Sequence, residues 1–202
     1  PLHTAPGDDR AGTYPSYAVA FLEDGQPQQA MPLLRKAVAL EPDNAELRND
    51  LAIALRKTGD LDAAIVEFGN ATRLRPDYPD AHLNFSTALS ATPGTAPDYE
   101  GNMQAALAAC RGALRLPPQF PLAQSHLGFL HYKRGDLPGA IGAWRVALQM
   151  DPTDVRSLAN LAGALAQQGD VEGAIVEYQR VLELNPDDVA ARKMVEKLRA
   201  AP

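Results

Sequence analysis

Cysteine is nearly absent from this chain: Cys110 is the one thiol in 202 residues. One thiol can neither close an internal disulfide nor furnish a cysteine-rich metal site, so stability has to come from packing. Long apolar runs are missing too. A membrane-spanning helix needs roughly 18 to 20 consecutive apolar residues, and Arg, Lys, Asp or Gly interrupts each run before that length, so membrane insertion is not expected. Positive charge is not in excess either, with 19 Lys and Arg against 25 Asp and Glu and a formal charge of -6. Binding to a phosphate backbone rests on clustered Lys and Arg. Without a basic stripe, nucleic acid is not an expected partner.

The groups that carry chemistry are equally sparse. There are four His, and the carboxylates are scattered. No nucleophile, base and stabiliser are written close enough to read as a set. His126 and His131 are five positions apart and turn to different faces of a helix, unlike the i, i+4 pair of helical zinc sites. Glycine-rich phosphate loops, the dinucleotide-binding glycine fingerprint and the paired-cysteine haem motif are all missing. The chain is therefore expected to be non-catalytic, with no metal and no cofactor. Cys110 reads as a small core residue.

What the sequence does contain is one unit written five times. The blocks LEPDN, LRPDY, LPPQF, MDPTD and LNPDD place Pro42, Pro76, Pro118, Pro152 and Pro186 at intervals of 34, 42, 34 and 34. Five residues before each proline stand Ala37, Ala71, Ala113, Ala147 and Val181, and twelve before stand Ala30, Ala64, Ala106, Ala140 and Ala174. Each unit reads as two helices. In the last copy Leu158, Leu161, Ala162 and Leu165 form one apolar stripe, and Ala174, Tyr178, Val181 and Leu182 a second. Between the helices stand Gly59-Asp60, Gly135-Asp136 and Gly169-Asp170. The glycine accepts the left-handed conformation that ends one helix and the aspartate caps the next. Small alanines let the paired backbones approach, while Phe68, Trp144 and Tyr178, with Cys110 in the same slot, fill the space toward the neighbouring helix.

This pattern resembles the tetratricopeptide repeat, whose signature combines Leu-Gly, Ala, an aromatic residue and Pro at fixed offsets. Repeat four carries the clearest copy, with Leu127, Gly128, Ala140, Trp144, Ala147 and Pro152. The resemblance covers residues 11–188 and implies an all-α fold, a right-handed superhelical solenoid of five helix-turn-helix repeats. The expected boundaries are 1–10 for an irregular linker, 11–44, 45–78, 79–120, 121–154 and 155–188 for the repeats, and 189–202 for a capping helix. Repeat one lacks the Leu-Gly pair and should begin near Tyr14, with Tyr17, Ala18 and Phe21 inward. Repeat three carries eight extra residues, which TPGTAPDY (Thr92 to Tyr99) places in the turn between its helices. The capping segment sets Ala191, Met194, Val195 and Leu198 against a charged outer face, as a stacked array requires at its end. No matching cap precedes repeat one, and the first residue is Pro1 in place of Met. An upstream segment is therefore expected, and the compartment stays open. Arginine in preference to lysine, with abundant Ala and Pro, suggests a GC-rich bacterial source.

The resemblance further implies a concave groove lined by positions 2, 5, 6, 9, 12 and 13 of each first helix. In repeat two these include Asn49, Asp50, Arg56 and Lys57, and in repeat three Asn84 and Thr87. Repeat four supplies His126, Phe129, Tyr132 and Lys133, and repeat five Arg156 and Asn160. Asn84 and Asn160 share position 6, where an amide can both donate to and accept from a peptide backbone. This is similar to the asparagine ladder in the tetratricopeptide portion of O-linked N-acetylglucosamine transferases, from which Asp50 and His126 at the same position depart. As exposed groove residues, the asparagines should be replaceable within about 0.5 kcal/mol of stability. The expected function is a scaffold that binds a peptide or a partner segment in this groove. The alternatives are an accessory region of a larger enzyme or redox protein, and a self-associating subunit or an upstream domain docked through the first repeat.

Overall fold

The computed structural model describes residues 13–116 and 120–200, and among these are eleven helices and no strand. They are α1 (Thr13–Glu23), α2 (Pro27–Leu40), α3 (Ala45–Thr58), α4 (Leu61–Leu74), α5 (Pro79–Ser90), α6 (Tyr99–Leu114), α7 (Pro121–Lys133), α8 (Leu137–Met150), α9 (Val155–Gln168), α10 (Val171–Leu184) and α11 (Val189–Ala200). The chain is an all-α solenoid of helix pairs. The expected linker, residues 1–10, lies outside the described residues, as do Pro117, Pro118 and Gln119.

The punctuation seen in the sequence does its work locally. Gly59 and Gly169 end α3 and α9 at φ 94°, a left-handed conformation costly for any residue with a Cβ. One residue on, Asp60 and Asp170 accept from the backbone N–H of Ala63 and Gly173 and so start α4 and α10. Asn44 caps α3 through Glu46 and Leu47, and Asp154 caps α9 through Arg156. α5 and α7 start differently, with Tyr78 and Phe120 at the cap position, no side-chain cap bond, and Pro79 and Pro121 in the first turn. Proline is suited to that turn, where its missing N–H would lack a helical partner anyway.

The chain divides into two compact units, residues 1–109 and 110–202. In the first, α1 to α5 share a core in which Ala18, Ala30, Ala52 and Ala64 are wholly buried between close backbones, and Leu34 and Phe68 fill the space beside them. Burying side chains as large as these two contributes about 1.5 to 3 kcal/mol each. Ala18 faces inward as expected and Phe21 is half-buried, but Tyr17 is exposed. α1 is one short helix packed on α2 and α3, and its inward stripe is too narrow to take Tyr17 as well.

The insertion of repeat three is only partly a loop. Residues 91–98 are non-helical, and α6 begins at Tyr99, a full turn ahead of Met103, the position that matches Leu61 of α4. The amide of Asn102, inside that added turn, donates to the hydroxyl of buried Thr92 at 3.3 Å. α6 is tied to α5 by Ser86, whose buried hydroxyl donates to the Ala106 carbonyl at 2.7 Å.

In the second unit the core runs from α8 through α9 and α10 to α11, with Trp144, Leu158, Leu161, Ala174 and Val181 at its centre. Ala191 and Val195 of α11 are buried against it, with Met194 and Leu198 half-buried beside them, so α11 covers the apolar side of α10. Gly128 of α7 lies against the indole of Trp144, whose Nε1–H donates to the Ser125 carbonyl at 3.0 Å. Cys110 is buried, and its Sγ lies 3.2 Å from the Ala123 carbonyl.

Candidate functional site

Within each unit the first helices of successive repeats are neighbours: α1, α3 and α5 in the first, α7 and α9 in the second. Their shared faces carry the residues singled out in the sequence.

In the first unit Asn49, Asp50 and Asn84 come together. The Asn84 side-chain amide donates to Asn49 Oδ1 at 3.1 Å, bridging α5 and α3, and the Asn49 amide approaches Asp50 Oδ1 at 3.5 Å. Asn49 is only 3% exposed. It was expected as a groove contact, but it is buried, with its Oδ1 taken by the Asn84 amide. Burial pushes the Asp50 carboxyl up to about 6, against the Asn49 amide that favours its charged form, with the Glu46 carboxylate adding to the rise. Arg56 is exposed on α3. Lys57 reaches back to donate to the Leu22 carbonyl in the last turn of α1 at 3.2 Å, and Thr87 bonds its own helix at the Leu83 carbonyl.

Two residues beside Asp50 were not anticipated. Tyr78 is half-buried, and its hydroxyl is pushed upward first by burial and then by the Asp50 charge. The Arg75 guanidinium lies over its ring, 3.7 Å from the centroid, and pairs with Glu46 at 2.7 Å. Both belong to the LRPDY block. A tyrosine there, where repeats two and five carry the capping Asn44 and Asp154, was the available signal.

In the second unit His126, Phe129, Tyr132 and Lys133 share one face of α7. The His126 and Phe129 rings stack at 6.0 Å with 25° between their planes, and Lys133 Nζ lies 5.8 Å from the Phe129 centroid. Tyr132 tilts against Trp144 at 6.0 Å. Phe129 is 39% exposed and Tyr132 43%. On α9, Arg156 and Asn160 are exposed, and the hydroxyls of Ser125 and Ser157, 2.7 Å apart, join α9 to α7. Among the described residues no group of three His, Cys, Asp or Glu is placed to hold a metal, and no helix is long and apolar enough to cross a membrane.

Two family models, both described as tetratricopeptide repeat, match residues 21–83 and residues 127–189, together more than half of the chain. The chain belongs to the tetratricopeptide repeat family. It is 33% identical over 100 residues to Protein FlbA of Caulobacter vibrioides, a match that takes in 50% of this chain and 15% of that protein, so the chain spans only a small part of that relative's length. Among solved structures it is similar to MamA from Desulfovibrio magneticus RS-1, with a TM-score of 0.76 at 22% identity over 92% of this chain and 100% of that one. It is also similar to YrrB, a repeat protein described as having an unusual peptide-binding site, with a TM-score of 0.72 at 17% identity over 94% of each chain. At these identities the structural likeness is one of fold.

Proposed function

We propose that this chain is a non-catalytic protein-interaction scaffold whose first-helix faces take a peptide or an extended segment of a partner protein. The observation that carries this reading is the α7 face, where Phe129 and Tyr132 stand 39% and 43% exposed beside the Lys133 ammonium. In a chain with only 6% aromatic residues, Phe129 stands exposed with no contact to the buried core among the described residues, and Tyr132 keeps 43% of its surface exposed although it leans on Trp144. Aromatic side chains are frequent anchors at interfaces. The Asn84 amide, held by Asn49, and the exposed Asn160 offer hydrogen-bonding groups to a peptide backbone. The peptide-binding site in the description of YrrB supports the same reading. The FlbA match favours a second possibility, that such an array serves as the repeat portion of a longer protein.

The test is capture of partners from a source lysate by three proteins: Phe129→Ala with Tyr132→Ala, Asn84→Ala with Asn160→Ala, and a Lys193→Ala control on the exposed face of α11. Partners lost from the first two and kept by the control support the scaffold reading. Partners kept by all three move the interaction off the first-helix faces.

A further inference from the structure

On the other side of the first unit, α2 and α4 both pack on α3 and leave a furrow between them, a cavity of about 530 Å³. Leu51 and Leu55 of α3 form its floor, and Val38, Ala39, Ala63 and Val66 form its walls. The two rims differ in charge. Glu67 is engaged by Arg48 at 2.7 Å, whereas Arg35 on the opposite rim is exposed and has no ion pair among the described residues. Val66 is 61% exposed. A β-branched residue on a solvated helix face is a poorer helix former than Ala and contributes nothing to the core.

Five of the eight lining residues recur at the matching repeat positions of the second unit, while Val38, Ala39 and Ala63 are matched by Leu148, Gln149 and Gly173. Arg145 and Val176 are exposed, the latter at 52%, Leu161 and Leu165 are buried, and Glu177 is paired with Arg180 at 2.6 Å. Two pairs of successive repeats thus keep an exposed valine, a buried leucine pair, an occupied glutamate and an exposed arginine in the same register.

We infer that the furrow between α2 and α4 is a docking site, separate from the first-helix faces, for an acidic amphipathic helix of a partner protein. Its aliphatic ridge would seat between Val38 and Val66 above Leu51 and Leu55, as helix ridges pack into helix grooves, and a flanking carboxylate would pair with Arg35. Charge complementarity selects this occupant. Of the two charged residues that line the furrow, Arg35 and Glu67, the one without an ion pair among the described residues is positive, in a chain whose net charge is -6.

The test uses a stapled helical peptide of about four turns with leucines on one face and glutamates flanking them, and a second peptide with lysines in place of the glutamates. Binding is read from the valine and leucine methyl resonances of the whole chain. The expected result is that the glutamate peptide shifts Val38, Leu51, Leu55 and Val66, and that Val66→Glu and Arg35→Glu each weaken binding at least tenfold. Arg35→Glu should in turn bind the lysine peptide better than wild type does, and Phe129→Ala with Tyr132→Ala should leave the glutamate peptide's affinity unchanged. Any of three results would overturn the inference: no methyl shifts with the glutamate peptide, equal affinity in Arg35→Glu, or furrow shifts that follow protein concentration without peptide, which would make the occupant a second copy. Because Phe129 and Tyr132 lie elsewhere, failure here leaves the first-helix reading intact, and the reverse holds too.

Discussion

The side-chain amide of Asn84 donates to Asn49 Oδ1 across 3.1 Å, and this one bond joins the first helices of two successive repeats. Asn49 is 3% exposed, so removing the donor leaves a nearly buried oxygen without its partner. Asn84→Ala should therefore cost about 1 to 3 kcal/mol in urea unfolding, more than the 0.5 kcal/mol allowed for an exposed groove residue. A double-mutant cycle with Asn49→Ala should show coupling of about 0.5 kcal/mol or more, and strict additivity would mean that the bond contributes nothing.

Asp50 makes stability depend on pH in a direction opposite to most carboxylates. Its carboxyl sits at about 6 in the folded chain, against 3.8 for the free group. As pH rises from about 4 to about 6 the unfolded chain gives up this proton first, so the folded state is progressively disfavoured. The full displacement corresponds to at most roughly 3 kcal/mol, and water reaching this half-buried group reduces it to the order of 1 kcal/mol. Asp50→Asn should raise the melting temperature at pH 7, leave it nearly unchanged at pH 4, and flatten the profile between them. A variant that melts below wild type at pH 7 would show that the ionised carboxylate is held favourably.

Much of the fold was legible because it is written in punctuation. Gly59 with Asp60 and Gly169 with Asp170 each end one helix and begin the next using local backbone geometry alone, which sequence reports directly. The site was less legible. Position counting along α3 puts Asn49 on the exposed side, but it is buried and bonded to Asn84 of the next repeat, and no single-helix pattern contains that information. Arg75 and Tyr78 escaped for a different reason: they follow α4, outside the first-helix positions, and reach Glu46 and Asp50 of the same repeat only because α4 folds back along α3. The extra turn of α6 was hidden because Tyr99 to Asn102 carry no helical stripe of their own.

Gly128 tests the closeness of α7 and α8. A Cβ at this position would lie 2.6 Å from Trp144 Nε1 and 2.7 Å from its Cδ1, inside contact distance of a ring that is 1% exposed and tied to the Ser125 carbonyl. The ring cannot swing into solvent, so Gly128→Ala should destabilise by about 1 to 3 kcal/mol through overpacking, despite the better helix propensity of Ala. In the Trp144→Leu background the same change should cost much less. Equal cost in both backgrounds would place the strain in the backbone and not against the indole.

Phe129 and Tyr132 should separate binding from folding, because both are substantially exposed yet only one leans on the core. Tyr132 tilts against Trp144 at 6.0 Å, a contact of the kind that contributes about 0.5 to 1.5 kcal/mol, while Phe129 meets His126 and Lys133 on the surface. Phe129→Ala should accordingly leave the urea midpoint almost unmoved, and Tyr132→Ala should lower it modestly. If these rings anchor a partner on the α7 face, each should weaken a captured partner by about tenfold or more, and the loss for Phe129→Ala cannot be assigned to unfolding. Titration of the purified partner against both variants, with melting curves recorded on the same samples, checks this. Weakened binding that tracks the melting temperature across the pair would make the α7 face a structural surface, whereas a large loss for Phe129→Ala at unchanged stability would mark it as the contact itself.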